Sequence, residues 1–143
     1  MPDAAKAIAL DFSGYFMKRK SLPDASGVYC VYTCVDKDDK TVDIRKLVYI
    51  GESDDVRARV TNHELFDAWK SQRAPAEVLC YSVACPFPES TRQRAEAAMI
   101  FHHKPPVNDE YTHSFPFDAT TITVSGKTSK LTTTFTVKKD AAD

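Results

Sequence analysis

Two strand-like runs joined by a wholly polar turn constrain this chain more than any other feature. Residues 28–35 and 46–50 are rich in β-branched and aromatic side chains, while the intervening 36–40 segment has turn-forming residues and no apolar member. A hairpin is therefore expected. Each run also carries a glycine and a tyrosine at its outer end, Gly27-Val28-Tyr29 on the first and Tyr49-Ile50-Gly51 on the second. Pairing the two runs would set both tyrosines beside both glycines on adjacent strands. A strand glycine permits a bend or a close backbone approach, and these two are half of the four glycines in the chain.

The rest of the chain divides around this hairpin. Residues 8–12 alternate as a short strand before Ser13-Gly14, with an amphipathic helix as the competing reading. Lys18-Arg19-Lys20 forms a small basic cluster. After the hairpin, Ser53-Asp54-Asp55 reads as a helix cap, and Val56, Val60 and His63 follow at helical spacing. Leu65, Phe66 and Trp69 continue as a second apolar stripe beyond a bend. Residues 76–85 are again strand-like. Ser90-Thr91-Arg92-Gln93 matches a capping box before a helix over 95–101, which Pro105-Pro106 stops. Residues 120–124 and 131–137 alternate as a Thr-rich hairpin, and a frayed tail is expected from Lys138 to Asp143.

Bulk properties set outer limits. A chain of 143 residues fits a single domain able to bury a core. The N-terminus Met1-Pro2-Asp3-Ala4 lacks a basic region followed by an apolar run, and no stretch approaches the roughly 18 apolar residues of a membrane span. A soluble, cytoplasmic protein with no membrane partner is expected. The four cysteines do not suggest a metal centre: Cys30 and Cys34 lie roughly 13 Å apart on a strand, and Cys80 and Cys85 face opposite sides of another. Reduced, packed cysteines are expected, with a zinc-stabilised structural protein as the disfavoured alternative.

The formal net charge of -1 gives no general pull on nucleic acid. Acid is concentrated at Asp36, Asp38, Asp39 and Asp43 and in the tail at Asp140 and Asp143, whereas Arg45, Arg57, Arg59, Arg92 and Arg94 recur near the motifs. A locally basic face is compatible with that distribution.

Several single residues are chemically suggestive, each with an ordinary structural alternative. Tyr29 or Tyr49 alone would read as packing with a satisfied hydroxyl. Arg59 falls in the core-facing stripe of Val56, Val60 and His63, where a charge needs a purpose; the ordinary reading is a guanidinium that snorkels or pairs with an acid such as Glu52. His63 would by itself be a satisfied or surface histidine. Glu96 sits in a helix whose apolar residues nearly encircle it, so its carboxylate needs compensation from Arg92 or from a divalent metal. Asn108 reads as a turn or cap residue, with support of a reacting site as the alternative.

Taken together, Gly27-Val28-Tyr29, Tyr49-Ile50-Gly51, Arg59, His63, Glu96 and the Pro-x-x-Asn ending at Asn108 resemble the GIY-YIG nuclease family in order and in most spacings. The resemblance covers about residues 22–108. Val28 stands where the family usually has isoleucine, and Tyr29 and Tyr49 lie farther apart than is common, a gap that a longer hairpin absorbs. The resemblance implies an α+β domain: a small antiparallel sheet with a β-β-α-β-α core flanked by helices, here with an N-terminal extension over 1–21 and a C-terminal β-hairpin extension over 109–143. It further implies a metal-dependent endonuclease hydrolysing DNA phosphodiesters. Glu96 would hold Mg²⁺ or Mn²⁺, Arg59 would stabilise the phosphoryl transition state, and His63 would bind phosphate or assist proton transfer. Tyr29 or Tyr49 would be the general base, and Gly27, Gly51 and Asn108 would support the site. The stretch after Asn108 is too short for an obvious recognition module, so specificity would come from a homodimer, from a partner protein or from the terminal hairpin. The alternative is a catalytically silent module of the same fold that binds nucleic acid or protein.

Overall fold

The computed structural model describes residues 5–38 and 41–139. Asp39 and Lys40 of the polar turn, the first four residues and the tail from Asp140 lie outside them. The described chain runs through β1 (Lys6–Phe16), a 3-10 turn (Arg19–Ser21), β2 (Gly27–Asp36), β3 (Val42–Ser53), α1 (Val56–Thr61), α2 (Phe66–Ser71), β4 (Val78–Ala84), α3 (Glu89–His103), β5 (Thr120–Gly126) and β6 (Thr134–Val137).

These strands form one six-stranded mixed sheet in the order β3-β2-β4-β1-β5-β6, curled into a half-barrel. This corrects the expected fold class, a small antiparallel sheet with a β-β-α-β-α core flanked by helices and an appended hairpin. Strand outweighs helix, and two of the three helices have only 6 residues each. β1 is an interior strand. It pairs in parallel with β5, Ile8 opposite Ile122 and Leu10 opposite Val124, and its far end pairs antiparallel with β4, Ser13 opposite Val83. The physical reason is burial: Ile8, Leu10 and Phe12 form one apolar face that packs with Ile122 and Val124, and such a face gains most in the middle of a sheet. The handover from β5 to β4 occurs at Gly14, whose φ of +152 lies outside the range of ordinary residues and whose missing Cβ would come within 2.9 Å of the Tyr81 carbonyl oxygen.

Two packed layers cover the sheet. On one face α3 contributes Ala95, Ala98 and Met99 against Val28, Cys30 and Tyr32 of β2. On the other, Val56 and Val60 of α1 and Trp69 of α2 pack against Tyr29, Val31 and Tyr81. β2 is consequently buried on both faces from Gly27 to Cys34, which explains why its sequence lacks a clean apolar–polar alternation. The cysteines at 30, 34, 80 and 85 are all free thiols, the first three buried.

Two local readings also change. α1 begins where expected, with the Asp55 side chain accepting from the Ala58 N–H at 3.1 Å, but it ends at Thr61. The Asn62 side chain and its backbone N–H both donate to the Ala58 carbonyl, terminating the helix so that His63 lies in the connection to α2. α3 does not use the Ser90 capping box; it starts two residues earlier, after Pro88, with no side-chain cap. Among the described residues no helix is long and apolar enough to cross a membrane.

Candidate active site at the border strand

β3 is an outer strand of the sheet, and a small cleft of about 190 Å³ opens along it. Tyr49, Arg59, Glu64, Glu96, Asn108 and Glu110 line the cleft. Three layers of structure meet here: β3 supplies Tyr49, the α1–α2 segment supplies Arg59 and Glu64, and α3 supplies Glu96.

The two tyrosines reach one another through a glycine. β2 and β3 pair with Tyr29 opposite Gly51 and Val31 opposite Tyr49. The Tyr29 ring lies across Gly51 so closely that a Cβ there would collide with its Cζ and hydroxyl oxygen and sit 2.9 Å from Cε1. Tyr29 and Tyr49 then stand with ring centroids 6.3 Å apart. Tyr29 is buried and Tyr49 half-buried at the cleft wall. Gly27 is equally tight at the start of β2, where a Cβ would come within 2.8 Å of Cys85 Cβ.

Asn108 fixes the strand between these residues. Its Oδ1 accepts from the Ile50 N–H at 3.0 Å and its Nδ2 donates to the Ile50 carbonyl at 2.9 Å. The neighbouring Val107 N–H donates to the Val48 carbonyl. A side-chain amide thus satisfies both outward-facing groups of an edge residue, holding Tyr49 on one side of Ile50 and Gly51 on the other.

Arg59 does not pair with Glu52. Its guanidinium closes a bidentate fork on Glu64, with contacts of 2.6 and 2.8 Å, and that pairing holds the exposed Glu64 carboxyl down at about 2. Glu52 instead takes Arg92, Nε to carboxylate 2.7 Å, with both side chains largely buried. Glu96 is left with no ion pair to a cation among the described residues. Burial first, then the carboxylates of Glu52 and Glu110, push its carboxyl up to about 8, against the Glu52 backbone N–H and the more distant Arg59.

His63 is placed differently from the expectation. Its side chain is fully buried, tilted against Trp69 at 4.4 Å and edge-on at 5.2 Å to Tyr49. Nδ1 accepts from the Leu65 N–H at 3.0 Å, so Nε2 carries the proton, and Nε2 has no partner among the described residues. Burial and then the Arg59 cation push the imidazole down to about 4. The ring is neutral near pH 7, so the 3.8 Å approach of Glu64 is not an ion pair. His63 positions Tyr49 and does not present a cation to the cleft.

The phenols are likewise neutral. Burial and then Tyr49 raise Tyr29 well above the ordinary phenol range, while burial and then Glu96 push Tyr49 up to about 12; Arg59 opposes both. No family model, curated protein or solved structure matches the chain. The site is therefore interpreted from its own geometry. Among the described residues no group of three or more His, Cys, Asp or Glu side chains is arranged to hold a metal. Glu96 nonetheless fits a cation's needs: a largely buried carboxyl without a cationic partner, with two further acids close enough to raise its pKa.

Sequence reasoning overlooked Glu64 and Glu110, and named Glu52 only as a partner for Arg59. Glu64 stands five residues beyond Arg59, past the end of α1, where helical spacing no longer indicates a pair. Glu110 follows Asn108 by two positions, and Glu52 adjoins Gly51, so proximity to the motif residues was the only available signal.

Proposed function

We propose that this chain is a divalent-metal-dependent endonuclease that hydrolyses DNA phosphodiester bonds, a reading that keeps the GIY-YIG resemblance as its motif pattern. The observation that carries it is the meeting of Tyr49, Arg59 and Glu96 in one cleft, with Tyr29 directly behind. Glu96 would hold Mg²⁺ or Mn²⁺ as a single protein ligand, leaving the rest of the shell to water and phosphate. Such an ion, when bound, supplies Lewis-acid polarisation of the phosphoryl group. Arg59 stabilises charge developing on the phosphoryl oxygens once its fork is released from Glu64. Tyr49, the cleft-facing phenol, orients the attacking water through its hydroxyl; to accept that water's proton it must first release its own to solvent, an ionisation that burial and Glu96 oppose and Arg59 favours. Tyr29, His63, Gly27, Gly51 and Asn108 hold these groups in place. A cytoplasmic setting accords with four free thiols.

A second reading, a silent module that binds nucleic acid or protein, is favoured by one feature: Arg59 is engaged by Glu64, and Glu96, Asp109 and Glu110 also line the cleft. Incubation with plasmid, single-stranded and branched DNA separates the two. Cleavage that needs Mg²⁺ or Mn²⁺ and disappears in Glu96→Ala and in Arg59→Ala, with both variants folded by circular dichroism, is the expected result. Metal-independent binding with no product, or full cleavage by either variant, overturns the hydrolase and leaves the module. Specificity supplied by a homodimer or by a partner protein belongs to the same proposal and would appear as a concentration-dependent or partner-dependent cleavage pattern.

A further inference from the structure

The large apolar side chains most exposed among the described residues are Met17 and Val78, and both line the same groove of about 420 Å³. Its rim is cationic. Lys18 and Lys20 come from the basic cluster before β2, and Lys70 and Arg73 from α2 and its C-terminal end. Lys70 is partly neutralised by Asp67 at 3.2 Å, but among the described residues no acid pairs with Lys18, Lys20 or Arg73. Arg19 is fixed inside the groove, its guanidinium 3.7 Å above the Phe66 ring and its Nη1 donating to the Thr61 carbonyl at 2.9 Å. The groove therefore offers an apolar floor, a rigid cationic plane and a ring of exposed positive charge.

The groove and the cleft share a wall. In the segment from Arg59 to Phe66, Arg59, Glu64 and Leu65 line the cleft, whereas Thr61 and Phe66 line the groove. A polyanion lying over that wall would meet both.

We infer that the groove binds an unpaired stretch of nucleic acid, with a base on the apolar floor against the Arg19–Phe66 stack and the flanking phosphates on Lys18, Lys20 and Arg73. The choice of nucleic acid rests on the phosphodiester site proposed next door. The choice of a single strand rests on the shape and chemistry of the groove. A duplex turns its phosphates outward and keeps its bases stacked, so the concave apolar floor would go unused, whereas an extruded base has a π-face that suits a guanidinium plane. The surface gives the acidic chain a local site for polyanions that its net charge does not suggest.

The test uses the full chain in EDTA, where no metal-dependent cutting occurs, and fluorescence anisotropy of a labelled oligothymidylate. Single-stranded DNA is expected to bind at least about tenfold more tightly than a duplex of equal length and than a glutamate peptide of equal charge. The exposed double variant Lys20→Glu/Arg73→Glu should lower that affinity about tenfold or more and reduce the salt slope by about 1.4. Phe66→Leu should weaken the quenching of a 2-aminopurine placed in the strand. Equal affinity for duplex or peptide, or unchanged binding by the double variant, overturns the inference. Loss of binding in the groove variants with no cleavage by the parent would sink the hydrolase and keep the groove; cleavage by the parent with groove variants indistinguishable from it would do the reverse.

Discussion

Replacing Glu96 with glutamine tests the electrostatics of the cleft without requiring activity. The carboxyl is raised from 4.5 to about 8 by burial and by the Glu52 and Glu110 carboxylates. In the folded protein it therefore keeps its proton up to about pH 8, whereas in the unfolded chain it loses it near pH 4.5. Between those values the native state binds more protons, so its contribution to stability is complete below the lower pKa and drains away as pH rises through the upper one. At about 1.4 kcal/mol per pH unit, the ceiling is on the order of 5 kcal/mol, and residual solvent access reduces it to roughly 2–3 kcal/mol. Glutamine has the same shape and no charge. Urea unfolding of both proteins in EDTA from pH 4 to pH 9 should show nearly equal stabilities at the acid end. The variant should become the more stable by about 2–3 kcal/mol at pH 9. Adding Mg²⁺ at pH 8 should narrow the gap, because a cation beside Glu96 stabilises the native carboxylate and has nothing comparable to bind in the variant. A difference that stays constant with pH would refute the crowded-carboxylate account, and a gap indifferent to Mg²⁺ and Mn²⁺ would remove Glu96 as a metal ligand.

Three further perturbations probe the supports of the site. Gly51→Ala forces a methyl group into the Tyr29 ring, which should cost about 1–3 kcal/mol in chemical denaturation and alter the Tyr29 ring signals in NMR; a neutral substitution would mean that the ring is not seated there. Asn108→Ala strips Ile50 of both edge hydrogen bonds and should destabilise by roughly 1–3 kcal/mol, with faster amide exchange at Ile50 as the local readout. Glu64→Gln weakens the fork on Arg59 and should strengthen binding of a non-hydrolysable phosphodiester about threefold to tenfold, measured by calorimetry with a metal present; weaker binding would make Glu64 part of the substrate site.

The sequence disclosed what is encoded locally. The polar turn, the β-branched runs and the Asp55 cap each act within a few residues, and β2, β3 and the start of α1 formed around them. It did not disclose β1's position, because the contacts that decide it, such as Ile8 opposite Ile122, bridge 114 residues, and the alternation within each segment does not say which strand it pairs with. The misreading of His63 has a comparable origin. Spacing placed it one turn beyond Arg59, but Asn62 folds back on Ala58 and ends the helix first, turning the imidazole into the aromatic layer. Choosing partners for the charges failed for a third reason: Glu52, Arg92, Arg59, Glu64 and Glu96 compete, and the outcome depends on which pair is closest and driest.

The fold expectation failed without dispersing the candidate site, and the strand order explains why. Tyr29 and Tyr49 belong to the layer beneath α1 and α2, whereas Glu96 belongs to α3 on the opposite face. A sheet separates two such layers everywhere except at its border, so phenol and carboxylate can meet only around an outer strand. β3 is that strand. The strands expected only as an N-terminal extension and an appended hairpin, β1, β5 and β6, all join the sheet beyond β4, on the far side of β2, leaving the β3 border uncovered by any further strand. Its exposed backbone at Val48 and Ile50 is satisfied by Val107 and Asn108, which blunts the edge against pairing with another chain while leaving Tyr49 free to face the cleft. Had β1 or β5 paired with β3 instead, the same motif residues in the same order would lie on opposite sides of a closed sheet.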